Sequence, residues 1–594
     1  MATVPRFPVA VQLEELDEAS LMKIVREPGH FPIRQHQRLF FVENVTLDAR
    51  VANCRHAVIV FSVIVALAIS LCLPAIAETG DSSPVPGKDL TGTPESNRLS
   101  SLQKVFVKKI TIKGSTVFSA EELAGITSPY ENREITFEEL QTLRQTLTLF
   151  YINKGYISSG AVIHDQSVID GNITITVIEG SLSEIEVAGN RYFRSAYIRD
   201  RIAMAADPPM NVQRLQETLQ MLQQDRRIKK INAELRPGIL QGESNLLVKV
   251  EENRPYAATL KFNNNQSPSI GPYRGEAQLS HQNVFGLGDV LDATVGLTEG
   301  AKDYSASYSL PLTRRDMVLE FHYRKSNSTV VEEAFKRLDI ESRTDTYGLT
   351  ISRPFYRSPS RELRLALTAE TRENRTFLLG RPFSFSEGPE EGRSRVTVLR
   401  FSQEWIGRTP IDVIAARSSF SLGLGILGAT MHNPAADGQF LTWLYQLQWI
   451  RQLSDEGLQL RLRMDGQLAA DSLLPLEKFS VGGMNSVRGY RENQLVRDNG
   501  LSASLEFRLP VIRDRTGGAI VQLAPFADFG RSWNTGNITP DPKSISIAGA
   551  GIVWAVTQDI NLQVYWGIPL RRIESSGNTL QDQGIHFQIT GQLF

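Results

Sequence analysis

The feature that most constrains this chain is a series of short segments after residue 256 in which apolar and polar residues alternate. Alternation with a period of two puts the apolar side chains of a β-strand on one face and the polar ones on the other. Sixteen segments of this kind can be counted before the chain ends at residue 594. They are 257–262, 276–282, 290–297, 304–310, 318–324, 346–351, 363–370, 397–405, 418–424, 443–450, 458–464, 503–509, 521–526, 545–552, 560–566 and 585–593.

An even number of strands, each about ten residues long and apolar on one face, is what a bilayer-spanning barrel requires. Closure is needed because lipid offers no partner for an unpaired backbone amide. The connections also alternate between short turns that carry proline and longer stretches such as 325–343, 372–393 and 469–499. We therefore predict a 16-stranded antiparallel transmembrane β-barrel over residues 255–594. The alternative is a soluble β-propeller or β-sandwich.

An internal repeat precedes the barrel. Gly114 and Phe118 recur 75 residues later as Gly189 and Phe193, and each copy follows the order β-α-α-β-β. We predict two units of this kind, at residues 103–180 and 181–254. Predicted strands are 105–112, 162–168, 172–178, 182–187, 231–236 and 245–250, and predicted helices are 120–124, 137–153, 195–205 and 212–224.

The N-terminal part resembles an export signal. Residues 57–73 carry no charge, Arg50 and Arg55 precede them, and a small-residue site predicts cleavage after Ala77. Residues 1–77 are thus an extension plus signal peptide, and residues 78–102, which lack helical periodicity, are a linker. A signal anchor remains an alternative, and the long prefix reflects either an upstream start codon or an extended signal. Cys54 and Cys72 would be removed with the signal, which leaves no disulfide.

Composition and motifs argue against several other classes. A net charge of -1 argues against electrostatic binding of nucleic acid, and after residue 77 no apolar run is long enough for a membrane helix. The segment 423–428 matches G-x-G-x-x-G, but no helix with a suitably placed acid follows it. The histidines lack metal-ligand spacing. We expect no enzyme activity, catalytic residue, metal or cofactor.

Two motifs carry the candidate site. Arg488 lies in the long stretch between two predicted strands, and Asp528 shares one strand face with Phe526 and Gly530. If that face is the lumen, a buried arginine needs a carboxylate partner, and its planar fork suits one. The residues alone leave open that both charges are simply solvated. The motifs are Val487-Arg488-Gly489-Tyr490 and Phe526-Ala527-Asp528-Phe529-Gly530.

These motifs resemble the VRG(F/Y) and F-x-D-x-G motifs of the Omp85 / two-partner secretion (TpsB) superfamily. The repeated units resemble POTRA domains, and the turn 283–289 (Asn-Val-Phe-Gly-Leu-Gly-Asp) resembles the superfamily's N-x-F-G-x-G-(D/N) turn. The resemblance covers residues 103–594 and points to haemolysin/haemagglutinin secretion-activation transporters of the ShlB/FhaC/HecB type. It implies that residues 487–490 belong to the sixth surface loop, folded back into the barrel so that Arg488 engages Asp528.

The resemblance also implies the function. An outer-membrane transporter would recognise one large, unfolded, β-rich exoprotein in the periplasm and move it to the cell surface. Barrel-assembly machinery would insert it into outer-membrane lipid. An exposed sheet edge can accept an unfolded segment as an added strand, and Val162, Ile163 and Val168 in the segment 162–168 are candidates for that edge.

Two alternatives remain. An Omp85-type assembly factor would share the barrel but usually has three or five POTRA units, and a passive porin or receptor would have none. The two units at 103–254 favour the transporter.

Overall fold

The structure is a computed structural model. It describes Leu99 and residues 103–386, 388–432, 436–515, 518–536, 538–573 and 577–593. The predicted signal peptide and, apart from Leu99, the predicted linker up to residue 102 lie outside the described residues, so neither prediction is tested. None of the helices in these ranges is long and apolar enough to cross a membrane.

The first unit packs two helices against a small sheet. Its core is formed by one face of the longer helix, where Leu140, Leu143, Leu147 and Tyr151 are almost fully buried. Each helix begins with a capping box, from Ser119 in one and Thr136 in the other, which satisfies the first backbone amides. The elements are β1 (Lys104–Val107), β2 (Lys109–Lys113), α1 (Ala120–Thr127), β3 (Arg133–Thr136), α2 (Phe137–Asn153), β4 (Gly160–Val162) and β5 (Asn172–Ile178).

The second unit repeats this plan. Its core includes Phe193, Ile198, Leu215 and Val248, and its sheet has the order β6-β8-β7 with β6 parallel to β8. The corresponding sheet of the first unit is β2-β5-β4, in which β2 is parallel to β5. The elements are β6 (Ser181–Ala188), α3 (Ser195–Ala203), α4 (Val212–Gln223), β7 (Ile228–Pro237) and β8 (Glu243–Glu252).

Two predicted strands differ from the structure. The segment 105–112 is interrupted at Lys108 and forms β1 and β2, which pair with β3 and β5 in separate sheets. The segment 162–168 is not a strand, because β4 ends at Val162. Beyond it the Gln166 side chain takes the place of a neighbouring strand, since its Oε1 accepts from the Thr174 amide and its Nε2 donates to the Thr174 carbonyl, both at 2.8 Å. Ile163 and Val168 pack on the core of the first unit, so they do not form a free edge.

Apart from two short strands inside one loop, the strands after residue 255 close into one antiparallel sheet. The sixteen strands that span it pair in sequence order, and β27 returns to β9 through five residue pairs. The predicted 16-stranded antiparallel barrel is thereby confirmed. The strands are β9 (Tyr256–Asn263), β10 (Arg274–His281), β11 (Val290–Leu297), β12 (Ala301–Pro311), β13 (Val318–Thr329), β14 (Glu341–Arg357), β15 (Arg361–Leu378), the two-residue β16 (Arg381–Pro382), β17 (Arg393–Arg408), β18 (Asp412–Leu424), β19 (Leu441–Gln452), β20 (Gln459–Ala469), β21 (Phe479–Val481) and β22 (Leu495–Arg497) inside one loop, β23 (Asn499–Arg513), β24 (Ala519–Trp533), β25 (Ser544–Ala555), β26 (Ile560–Pro569) and β27 (Ile585–Gln592).

The barrel has an apolar outer face and a charged lumen. Leu260, Phe321 and Leu349 stand exposed on the outside, as lipid contact requires. Lumen-facing charges are paired: Lys261 Nζ lies 2.8 Å from Glu276 Oε1, and Arg274 contacts Asp303. Pairing is expected because a charge held away from bulk water is costly alone.

The second unit docks on one end of the barrel. The turn 283–289 holds the backbone amide of Arg194 at 2.9 Å from the Gly286 carbonyl, and the Arg227 guanidinium donates to the Gly288 carbonyl at 2.5 Å. The next turn at this end places Asp316 Oδ1 2.6 Å from Arg201 Nη2. The loops at 298–300, 330–340 and 379–392 therefore lie at the opposite end.

Two buried groups at this junction have shifted pKa values. Burial raises the pKa of the Tyr197 hydroxyl, so it stays neutral and accepts a hydrogen bond from Arg227 at 3.1 Å. Burial by itself would lower the pKa of Arg227, but hydrogen bonds to Asp225 raise it. The junction therefore keeps a permanent cation facing the carbonyls of the turn.

Candidate functional site

The loop between β20 and β23 lies inside the barrel. Its two short strands, β21 and β22, pair antiparallel, so the loop enters and leaves as a hairpin. Val487 is fully buried, and Tyr490 and Leu495 are 5% exposed. These side chains join one apolar cluster with Phe526, Ile545, Ile547 and Tyr565 of the barrel wall. Burial of this apolar surface holds the loop against the wall.

Arg488 is the most densely bonded residue of this loop. Its Nε lies 2.9 Å from Asp528 Oδ2 and its Nη2 2.8 Å from Asp528 Oδ1, which is a two-pronged pair of parallel hydrogen bonds. Its backbone amide donates to Asp528 Oδ2 at 3.0 Å. The Asp528 side chain is 0% exposed and that of Arg488 is 7% exposed. The sequence motifs thus meet in the lumen.

A second carboxylate completes the arginine's environment. Arg488 Nη1 contacts Glu506, and Nη2 donates to Ser504 Oγ at 2.8 Å. Glu506 in turn contacts Arg508, whose Nη2 donates to Tyr565 Oη at 2.9 Å. The guanidinium carbon of Arg488 also lies 3.7 Å from the Phe526 ring centroid. Arg461 of β20 is the cross-strand neighbour of Glu506, so the two carboxylates are shared among three arginines and keep these buried charges paired.

Glycines on both sides allow the close approach. Gly489 has φ +77°, and a Cβ there would lie 2.2 Å from the Ile547 Cδ1. On the wall, a Cβ at Gly530 would lie 2.3 Å from Val481 Cγ1 and 2.8 Å from Val487 Cγ2. Within β24, Phe526 and Asp528 share the buried face with Gly530. Any side chain at 489 or 530 would force the loop away from the wall.

Tyr490 fixes the far side of the motif. Its hydroxyl lies 2.7 Å from the Arg571 carbonyl and 3.1 Å from the Ser546 carbonyl. The Tyr490 carbonyl lies 3.1 Å from the Nε2 of His586, a fully buried residue of β27. The motif 487–490 is therefore bonded to β23, β24, β25 and β27 and to the loop that follows β26.

A second anchor, which the sequence reasoning missed, holds the start of the loop. Glu477 Oε1 lies 2.9 Å from Arg400 Nη2 of β17, and its side chain is 1% exposed. Arg372 of β15 donates to the Leu476 carbonyl at 2.8 Å. Glu370 lies between these two arginines, 2.8 Å from Arg372 and 3.3 Å from Arg400. No motif marks Glu477, and only the alternation of β15 and β17 predicts that their charges face the lumen.

A third anchor ties the loop to its neighbours at the surface end. Arg491 Nε lies 2.5 Å from Asp582 Oδ1, and Arg491 Nη1 lies 2.9 Å from Glu332 Oε1. These acids belong to two other loops, 577–584 and 330–340. The three anchors together make the loop a wedge that narrows the lumen. In the described ranges, no three His, Cys, Asp or Glu side chains cluster as a metal ion would require.

The remaining candidates lie elsewhere. Val162 is the last residue of the edge strand β4 in the first unit, and Ile163 and Val168 pack on that unit's core, remote from the barrel loop. The turn 283–289 has a structural role at the junction: Asn283 Oδ1 accepts from the Gly288 amide at 2.9 Å, and Asp289 accepts from the Phe285 amide at 3.0 Å.

Comparison with known proteins agrees with this geometry. Residues 242–555 match the family described as haemolysin secretion/activation protein ShlB/FhaC/HecB, and residues 105–180 match the ShlB-type POTRA domain. The outer membrane transporter CdiB of Dickeya dadantii (strain 3937) is 23% identical over 78% of this chain and 82% of its own. The heme/hemopexin transporter protein HuxB of Haemophilus influenzae (strain 86-028NP) is 22% identical over 69% and 72%. CdiB from Escherichia coli has a similar fold, with a TM-score of 0.62 at 19% identity over 84% of this chain and 93% of that one.

The family, its function and its location are therefore confirmed as the sequence predicts them. The barrel lies in the outer membrane and the POTRA units lie in the periplasm. Members of this family are transporters rather than enzymes, and each pairs with a TpsA-like exoprotein. The porin and assembly-factor alternatives are set aside. The chain belongs to the haemolysin secretion/activation family of ShlB, FhaC and HecB, the outer-membrane transporters of two-partner secretion.

Proposed function

We propose that this transporter carries one large, β-rich exoprotein through its lumen, and that the loop 470–498 controls passage. The observation that supports this is the buried Arg488–Asp528 pair, which holds a folded hairpin in the space a translocating chain would use. The loop is held by ion pairs, hydrogen bonds and apolar contacts, and none of these is a covalent bond. The loop can therefore be displaced by a substrate without breaking the barrel wall.

The direction of transport follows from where the partner folds. No nucleotide is available outside the inner membrane, so folding of the exported β-rich chain at the surface supplies the free energy. A folded segment cannot return through a lumen this narrow. Each further segment that folds therefore pulls the next one outward.

Capture in the periplasm uses the POTRA sheets. An unfolded segment can add as a strand to an exposed edge, with affinity from main-chain hydrogen bonds. Of the edge strands, β4 spans three residues and β7 spans ten, Ile228–Pro237. The longer β7 offers more backbone groups, so we assign the main contact to it and a minor one to Val162 of β4. Insertion of the chain into lipid is assigned to the barrel-assembly machinery.

The direct test is Arg488→Ala. We expect secretion of the partner to fall strongly, because Asp528 and Glu506 lose the cation that neutralises them and the loop leaves its position. The barrel should still insert, since its backbone ladder is complete without the loop. Removing one member of a buried pair costs about 3–5 kcal/mol, which is large enough to release the loop and too local to unfold sixteen paired strands.

The matched control is Arg364→Ala. Arg364 also lies on a barrel strand, but its guanidinium pairs with Glu362 of its own strand at 2.8 Å and touches no part of the loop. Secretion should persist in this variant. Normal export by a stably inserted Arg488→Ala variant would contradict the proposal.

A further inference from the structure

The barrel sheet is closed by one short seam. β27 pairs with β9 through five residue pairs, whereas the adjacent pairs β9–β10 and β26–β27 have eight and seven. The last residue pair toward the surface joins Gln588 to Asn263, so residues 585–587 of β27 extend beyond the end of β9. Backbone groups that lie past the end of a partner strand need other partners. The surface end of the seam is therefore its weakest part.

A side chain extends the ladder at this end. Asn264, which follows β9, is fully buried. Its Oδ1 accepts a hydrogen bond from the Phe587 amide at 2.8 Å, and its Nδ2 donates to the Ile585 carbonyl at 2.9 Å. Its own backbone amide donates to the Phe587 carbonyl at 3.3 Å. The seam is thus prolonged only while Asn264 keeps its position.

Gln581 holds the segment 264–266 in position. It lies in the loop 577–584 and is fully buried. Its Nε2 donates to the Gln266 carbonyl at 2.7 Å and also to the Asn264 carbonyl. Its Oε1 accepts from the backbone amide of Glu492, a residue of the lumen loop, at 2.9 Å. One planar amide therefore bonds the extension of β9 on one side and the lumen loop on the other.

A primary amide suits these three partners. It offers two N–H groups to the two carbonyls and one oxygen to the amide of Glu492. A carboxylate would turn an oxygen toward two carbonyl oxygens, and an apolar side chain would remove a partner from all three backbone groups. The next residue, Asp582, already pairs with Arg491 of the loop. This corner thus carries an ionic link to the loop and a neutral link that continues to β9.

We propose that Gln581 is a positioning residue that couples the lumen loop to the closing seam. When the loop 470–498 leaves its place, the Glu492 amide is withdrawn from Gln581, and the surface end of the seam loosens. The strands separate only there, because the five residue pairs below involve no part of the loop. The exit thus widens while a chain passes. The coupling rests on the proposed displacement of the loop during export.

The test is hydrogen exchange in the full-length protein purified in detergent, read at single amides by fragmentation. The Phe587 amide reports the surface end of the seam. The Leu593 amide, which donates to the Ala258 carbonyl at 2.8 Å, reports the other end. Residues 482–487 report the position of the loop. Heat-modifiable migration in gels confirms that each barrel is folded.

Four barrels are compared: the parent, Arg488→Ala, Gln581→Leu and the double variant. We expect Arg488→Ala to speed exchange in residues 482–487 and to speed it about tenfold at Phe587, with no change at Leu593. Gln581→Leu should speed exchange at Phe587 by a similar factor. Adding Arg488→Ala to Gln581→Leu should then change Phe587 by less than about twofold, because the link is already cut. A residue that merely supports the seam would give effects that multiply.

Two further variants test the chemistry of the amide. Gln581→Glu keeps the shape of the side chain and the acceptor for Glu492 but removes both donors, so it should loosen the seam at Phe587 as Gln581→Leu does. The matched control is Gln583→Leu, two residues further along the loop. Its exposed side chain donates to Asn578 of the same loop at 3.3 Å, so neither reporter should change.

The outcomes separate the coupling from the proposed function. Unchanged exchange at Phe587 in an Arg488→Ala variant whose loop exchanges faster would overturn the coupling and leave the proposed function standing. Effects that multiply in the double variant would also overturn the coupling. Unchanged exchange of both the loop and the seam in Arg488→Ala would contradict the proposed function, and the coupling with it.

Discussion

Glu477→Gln should loosen the second anchor of the lumen loop and leave its first anchor intact. The change keeps the side-chain volume and removes the negative charge of a carboxylate whose Oε1 and Oε2 lie 2.9 Å and 3.1 Å from Arg400 Nη2. Arg400 would still contact Glu370 at 3.3 Å and Ser421 Oγ at 2.9 Å, so its charge would not be left unpaired.

The expected cost follows from that arrangement. A hydrogen bond to a charged group contributes about 1.5–3 kcal/mol, and a buried charge left with no partner costs about 3–5 kcal/mol. Because Glu370 remains as a partner of Arg400, we expect the cost of losing one charged hydrogen bond, about 2 kcal/mol, rather than the cost of an unpaired buried charge. That cost corresponds to an increase of about 30-fold in the population of the displaced loop.

Thiol accessibility measures this population. Ser486 is 1% exposed in the loop, and Ser486→Cys in a background lacking Cys54 and Cys72 gives one reporter thiol. A hydrophilic maleimide should label it slowly in the parent and about 30-fold faster in Glu477→Gln when loop opening limits labelling. Glu333→Gln, at an exposed acid of the loop 330–340, should not change the rate. Equal rates in the parent and in a folded Glu477→Gln variant would refute the second anchor.

Two further predictions concern the close contacts described above. Gly489→Ala should impair export, because the added Cβ would overlap Ile547 and the residue would keep φ +77°, at a combined cost of about 2–5 kcal/mol. The control is Gly380→Ala, which has φ +72° and open space around it, so it shares only the backbone strain and should export normally. Equal secretion by both variants would contradict the packing argument. Asp316→Asn should weaken the POTRA junction, because Arg201 and Arg357 both lie 2.6 Å from its carboxylate, while its φ of 55° suits asparagine. Hydrogen exchange in residues 195–203 should then increase, with Asp339→Asn in a surface loop as the control, and unchanged exchange would show that the junction does not depend on this ion pair.

The barrel can be predicted from the sequence because every strand carries the same alternation of apolar and polar residues. Lipid on one side and a polar lumen on the other impose the same pattern on each segment, so even a weak signal repeats many times. The same alternation predicts that Phe526, Asp528 and Gly530 share a face. The motif around Arg488 then identifies the loop that meets them.

Two features could not be predicted, for different physical reasons. The strand expected over residues 162–168 stops at Val162 because a single side chain, Gln166, satisfies the backbone of Thr174. The alternation of apolar residues does not show that a side chain takes the place of a neighbouring strand. Glu477 was missed because it belongs to no motif, and its partners Arg400 and Arg372 lie on strands far from it in the chain. Such a contact depends on where the loop is placed in the closed barrel.

The most direct test of the inward-folded loop is a double-mutant cycle on Arg488 and Asp528. Labelling of the Ser486→Cys reporter is measured in Arg488→Ala, in Asp528→Ala and in the double variant, all as folded barrels. If the two side chains form one buried pair, the double variant should label no faster than either single variant, with a coupling of at least about 2 kcal/mol. Effects that multiply, or a reporter that labels rapidly even in the parent, would show that the arginine does not rest against the aspartate on the barrel wall.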